Sequence, residues 1–336
     1  MVNGIVVAGV AMFAWALLRA DLLPSWGWLS RWWPAVASLL LFGVAFAVWW
    51  WGREPRATEP AVRRDWTQVI TATTALGALI FTALSLRATQ EQIEVAEQGQ
   101  ITDRYAKAVE LLGTPGSEHF QVRLGGIYAL ERLAADSPRD QQTVVDVLTA
   151  FIRATSPRAD RTKPCPPTPA DVQAAFAAIS RRDVSQDPRY PVGSGASPTT
   201  TKPIDLRNTC LADLIAFNAD LSRMSLVGAD LSRADLGHAH GGLVSLVDAK
   251  LTGANLRGAD LSNFAFLDRA DLSDARLTDA KIGTLLTGVN LTNSDLRGAN
   301  LRHATLTGVV LTGAQHDDKT NTEGATYDAA TVGAWW

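Results

Sequence analysis

The sequence predicts a chain of two characters: an α-helical N-terminal half containing membrane-spanning and juxtamembrane segments, followed by an all-β solenoid. Three observations predict it. Residues 32–52 and 66–86 each run for 21 positions without a charged side chain; nine of the eleven tryptophans lie in the first 66 residues; and from residue 206 a leucine recurs at nearly every fifth position. A step of five rotates about 140° around a helix and would scatter those leucines. In a flat strand, an odd step sends successive leucines to opposite faces. One interior receives them all only if the backbone turns once per repeat, which demands a closed coil.

With 336 residues, 47% of them hydrophobic, and a net charge of -3, the chain is long enough for a core spread over two or three units. Nucleic acid is not an expected partner, because the basic excess of such binders is absent. Cys165 and Cys210 lie in different regions without metal-ligand spacing. They read as free thiols of a reducing compartment, with no disulfide framework, metal or cofactor implied.

The transmembrane region spans 1–86. As helices the two 21-residue runs would rise about 31 Å, enough for a hydrocarbon core of about 30 Å. Trp32 and Trp33 open the first and Trp49, Trp50 and Trp51 close it, as an interfacial aromatic belt requires. The second contains Thr71, Thr73 and Thr74, whose hydroxyls can bond back to helix carbonyls. Residues 1–18 are charge-free but shorter, and read as a third span or as a helix packed on the other two. Arginine counts near the spans, four on each side, leave the orientation undecided. The expected home is the bacterial membrane, multi-pass, with the bulk of the chain in the cytoplasm. That side rests on the unpaired cysteines and on the resemblance given below.

A juxtamembrane helical domain follows at 87–154. Ile101, Tyr105, Ala108, Val109 and Leu112 recur at spacings of three and four and define one apolar face, ending at Gly113. Two further helices are expected to form an αα-hairpin joined at Ser137, with Ser137 capping the second, Pro138 at its first position and Asp140 completing a capping box. Gly125 and Gly126 imply a close helix contact; Val144, Leu148, Phe151 and Ile152 read as core. Residues 155–203 hold nine of the fifteen prolines and read as a flexible linker around a short helix at 169–182.

The solenoid is expected over 204–315. Its core leucines are Leu206, Leu211, Leu221, Leu226, Leu231, Leu236, Leu246, Leu251, Leu256, Leu261, Leu272, Leu277, Leu291, Leu296, Leu301, Leu306 and Leu311. Ala216, Gly241 and Ile282 stand in the same frame. A six-residue step after 261 leaves Phe266 and Leu267 as rival inward residues, and a four-residue step between 282 and 286 cancels it. The segment from His316 departs from the repeat and reads as a cap, with Tyr327, Trp335 or Trp336 as a plug, or as a recognition tail.

Asp or Asn often precedes the leucine, as at Asp220, Asp260 and Asn300, and Ala stands two before it, as at Ala219, Ala259 and Ala299. This pattern resembles the pentapeptide-repeat family. The resemblance implies a right-handed quadrilateral β-helix, four repeats per turn, with the leucine and the small residue pointing inward. "QITDRYAKAVELLG", "VRLGGIYALERLAADS", "VVDVLTAFIR" and "PIDLRNTCLADL" are similar to segments of actinobacterial membrane-anchored pentapeptide-repeat proteins, which implies membrane helices first and a cytoplasmic β-helix.

No catalytic, cofactor or metal residues are nominated. Of the five histidines only His238 and His240 are close in sequence, in a glycine-rich interruption without carboxylates at ligand spacing. Phosphate-cradling loops and nucleophile elbows are absent from the sequence. The expected function is a membrane-anchored interaction or scaffold module serving an unidentified protein partner. The alternative is a DNA-mimicking protein that binds gyrase, as some pentapeptide-repeat proteins do; against it, residues 204–315 carry 12 Asp and no Glu against 10 Lys or Arg.

Overall fold

A computed structural model describes residues 66–187, 202–262, 266–283 and 285–336. The spans expected over 1–18 and 32–52, and the linker stretch 188–201, lie outside these residues. The chain divides into two units, Met1–Phe81 and Thr82–Trp336.

Helix α1 (Trp66–Leu112) is 47 residues long, which corresponds to about 70 Å. It stops at Gly113, whose N–H donates to the Val109 carbonyl at 3.0 Å. Among the described residues no helix is long and apolar enough to cross a membrane, so the span expected over 66–86 is corrected to the first part of this helix. Thr71, Thr74, Thr82 and Ser85 dilute its apolar run, and Arg87 ends it. Leu79, Phe81 and Leu86 are exposed along it.

Helices α2 (Phe120–Asp136), α3 (Gln141–Thr155) and α4 (Ala170–Ser180) pack against one another. Their core includes Ile127, Leu130, Val144, Leu148, Ile152, Phe176 and Ile179. A Cβ at Gly126 would stand 2.7 Å from the Ala108 carbonyl oxygen and 2.9 Å from the Leu112 nitrogen, so glycine there lets α2 approach the last turns of α1. Gly125 faces open space. The expected cap of α3 is corrected: the helix begins at Gln141, and Ser137 donates its hydroxyl to the Asp140 carboxylate at 2.6 Å instead of holding a helix N–H. Helix α4 likewise has no side-chain cap, since the Thr168 hydroxyl donates to the Ala212 carbonyl instead.

From Ile204 the chain winds into a β-helix of four parallel ladders. Strand β1 (Ile204–Asp205) pairs with β2 (Met224–Ser225), and single bridges join Cys210 to Asp230, Ile215 to Asp235 and Asp220 to His240. Each coil therefore consumes 20 residues, or four repeats. The offset becomes 21 at Ser245↔Phe266, falls to 19 at Asp271↔Asn290 and returns to 20 at Asn290↔Val310. The extra residue of one coil is thus removed in the next. Leu267 is 1% exposed and points inward, whereas Phe266 is 43% exposed and points out.

The chain does not leave the coil at His316. Strands β3 (Leu285–Thr287), β4 (Thr305–Thr307) and β5 (Thr326–Tyr327) form one parallel sheet, and bridges Asn300↔Asn321 and Val310↔Val332 carry the tail once more around. Tyr327 is half-exposed on that added coil, while Trp335 and Trp336 pack partly buried against the core.

The segment expected as linker also requires correction over its described part. Pro157 bridges Thr209 and Pro167 bridges Ala212. Arg158 N–H donates to the Asn208 carbonyl at 2.7 Å, Cys210 N–H to the Ser156 carbonyl at 2.8 Å, and Thr168 N–H to the Ala212 carbonyl at 2.8 Å. An open coil edge leaves donors and acceptors unpaired; this strap pairs them. The free-thiol reading is corrected as well. Cys165 and Cys210 form a disulfide with their Cα atoms 5.4 Å apart, because Cys210 projects outward from the first coil beneath the strap.

Candidate interaction surface of the coil

The structure places all seventeen predicted leucines in the interior, each at 3% exposure or less. The frame positions Ala216 and Ile282 are buried too, at 5% and 6%. No such position is therefore available to a ligand, and whatever the coil offers a partner lies on its outward residues.

Those residues are held rigidly by the turn chemistry of the repeat. After each inward leucine the chain makes a four-residue turn: Ala254 N–H returns to the Leu251 carbonyl at 2.9 Å, with Gly253 at φ 68°. Positive φ at that position favours Gly, Asn and Asp, and Asn208, Asp213, Asn218, Asp248 and Asp274 occupy equivalent corners. The Asp or Asn before the leucine has its own task. Its side-chain oxygen accepts the N–H two residues on, as from Arg207 to Asp205, Ser232 to Asp230 and Arg297 to Asp295. Such Asx turns explain the residue preference locally, without a ligand.

Several outward carboxylates are paired within the molecule, some with cations and some with neutral amides. Arg233 binds Asp213 one coil away at 2.6 Å, Arg269 binds Asp248 at 2.6 Å and Lys281 binds Asp260 at 2.9 Å. Asn255 and Asn290 donate amide hydrogens to Asp235 and Asp271. The bond from Arg297 holds the Asp295 carboxyl down to about 2, with help from the Arg297 backbone and Thr278 against the opposing effect of burial. Asp213 and Asp248 are likewise lowered, each chiefly by its arginine.

At the glycine-rich interruption two coils approach closely. A Cβ at Gly241 would stand 2.7 Å from the Ser222 nitrogen, so the backbone closes onto the preceding coil. The turn then forces Leu243 to φ 59°, an unfavourable conformation for a leucine, with its side chain exposed. His238 packs edge-on to Phe217 at 5.3 Å and His240 lies 4.0 Å from Asp220. Among the described residues no three His, Cys, Asp or Glu converge on a metal-sized site.

Two concavities lie among the described residues of the helical module. One of about 310 Å³ is lined by Val144, Leu148 and Ile179 with Glu131 and Arg181 beside them; the other, about 660 Å³, is bounded by Phe120, Phe151 and the Arg123–Asp171 pair. Their charged groups are already engaged. Glu131 binds Arg181 at 2.7 Å, and Arg123 donates to Asp171 and to the carbonyls of Thr114 and Gly116.

Sequence reasoning missed the residues that join module to coil. Gln173 on α4 donates its amide to the Ile215 carbonyl and accepts the Ile215 N–H at 2.8 Å, so a side chain stands in for a neighbouring strand. Arg182 and Arg223 share the buried Asp187 carboxylate at 3.2 and 3.1 Å, and Arg182 also reaches the Ser222 carbonyl at 2.6 Å. A glutamine on an alanine-rich helix carries no signal of such pairing. The two cysteines did carry one, in their even number.

This geometry defines a leucine-cored parallel β-helix with a polar, self-paired exterior, that is, a repeat solenoid. The family description "Pentapeptide repeats", in 8 copies, matches residues 205–240, 225–263, 244–282 and 284–315, so this region carries the repeats of that family. Similar solved structures include a pentapeptide repeat protein from the cyanobacterium Cyanothece 51142, 30% identical, covering 35% of this chain and 63% of its own, with a TM-score of 0.15. Another, from the Arabidopsis thaliana thylakoid lumen, is 32% identical over 30% of this chain and 66% of its own, with a TM-score of 0.14. QnrB1, a plasmid-mediated fluoroquinolone resistance protein, is 21% identical over 37% of this chain and 84% of its own, with a TM-score of 0.15. The chain thus spans less than two thirds of the length of the first two. No curated protein sequence matches it.

Proposed function

We propose that the protein is a membrane-anchored interaction module, without catalytic chemistry of its own, that presents the β-helix to a protein partner at a bacterial membrane. The single observation that carries the reading is the self-paired exterior. A rigid surface whose carboxylates are bonded to arginines, a lysine and asparagines of the same coils suits recognition by shape and hydrogen bonds. Anchoring is supported by the charge-free, tryptophan-bounded run 32–52. Attachment raises the local concentration of the coil for any partner at the same membrane.

In-cell photo-crosslinking from Thr305 and Phe266, both exposed, followed by mass spectrometry, tests this. Enrichment of one protein over background is expected; recovery of background alone would overturn the reading.

The same pairing disfavours DNA mimicry, which needs a continuous field of unpaired negative charge. Purified protein added in stoichiometric excess is expected to leave gyrase supercoiling unchanged, and inhibition would favour the mimic instead.

A further inference from the structure

We propose that the Cys165–Cys210 disulfide is a redox-sensitive latch on the N-terminal edge of the coil: oxidised, it holds the strap of residues 156–168 over that edge; reduced, it lets the strap lift. The strap is bonded at its two ends, by Ser156 and Arg158 at one and Thr168 at the other. Between them residues 159–164 are exposed; the Arg161 bond to the Asn208 side chain and the disulfide tie this stretch to the coil, beside the Arg158 guanidinium, which donates to the Gly228 carbonyl at 2.9 Å. Both cysteines are only partly buried, so a small dithiol can reach the sulfurs.

The exchange balances simply. A dithiol reductant gives two electrons and two protons, the sulfur–sulfur bond breaks to leave two cysteine thiols, and the reductant becomes a cyclic disulfide. What reduction uncovers is specific. The Asn208 and Ala212 carbonyls and the Cys210 N–H all pair with the strap, so its departure leaves an open parallel-sheet edge of the kind that accepts an added strand. An oxidising compartment keeps the latch closed and a reducing one opens it.

The test uses the full chain in detergent micelles, purified without reductant, with iodoacetamide labelling and limited trypsin digestion read by mass spectrometry. Without reductant neither cysteine is expected to alkylate, and cleavage after Arg161 is expected to be slow. After dithiothreitol, iodoacetamide is expected to label both cysteines, and that cleavage is expected to speed by about tenfold or more, as for a segment whose local opening has become easy. Cys165→Ser and Cys210→Ser are each expected to cleave at the fast rate without reductant, while the peptides of residues 206–315 stay protected. Full alkylation before reduction overturns the proposal. So do equal cleavage rates with and without dithiothreitol in the wild-type chain, a comparison that does not depend on either variant folding.

Discussion

At the scale of single residues, each repeat position has one dominant physical demand. Leu256, 1% exposed, answers to burial alone: Leu256→Asp places a carboxylate where nothing solvates it and is expected to cost more than about 3 kcal/mol, read as a large fall in melting temperature. Leu243 is the opposite case. Held at φ 59° with an exposed side chain, it gains nothing from its size, and Leu243→Gly is expected to raise stability by about 0.5–1 kcal/mol in thermal denaturation. Asp295 answers to charge. Its carboxyl is held at about 2 in the folded chain against an ordinary 3.8, so its contribution is complete above pH 3.8 and is lost as pH falls from there through 2. Melting temperatures at pH 5 and pH 2.5 are expected to differ less in Asp295→Asn than in the wild type.

At the scale of elements, the informative features are the ends. Solenoids must cover their terminal coils, and here the two ends use different devices: a proline-rich strap and helix α4 at the first coil, a further irregular coil carrying Trp335 and Trp336 at the last. Gln173→Ala removes both partners of the Ile215 backbone. It is expected to cost about 1–3 kcal/mol and to speed hydrogen exchange at the Ile215 amide, leaving amides of the central coils unchanged. How legible these elements were depends on their periodicity. The coil was readable because a five-residue rule repeats often enough to exclude accident, and even its one insertion and deletion were visible as a six-step and a four-step. Choosing Leu267 over Phe266 required the structure, since both are large and apolar. The strap was misread because prolines signal both flexible linkers and edge strands that lack N–H donors, and composition does not distinguish them.

Across the unit from Thr82 onward, one continuous apolar cluster runs from Ala108 and Leu112 through α2, α3 and α4 into the coil as far as Leu311. Module and solenoid therefore share a core rather than a tether. Thermal unfolding of this unit is expected to show helical and β signals by circular dichroism melting together; two transitions separated by about 10 °C or more would mean that the shared interface contributes little to cooperativity.

The amino-acid sequence by itself determined the coil, its interior leucines and the outward placement of its charges, because those follow from a period that any backbone must obey. Tertiary structure alone decided what covers the first coil, which outward charges neutralise each other, and that Cys165 meets Cys210. Apart from local pairs such as Arg297 with Asp295, these join residues 20 or more positions apart, and such meetings are set by how coils stack and how the strap crosses them, not by any local preference of the chain.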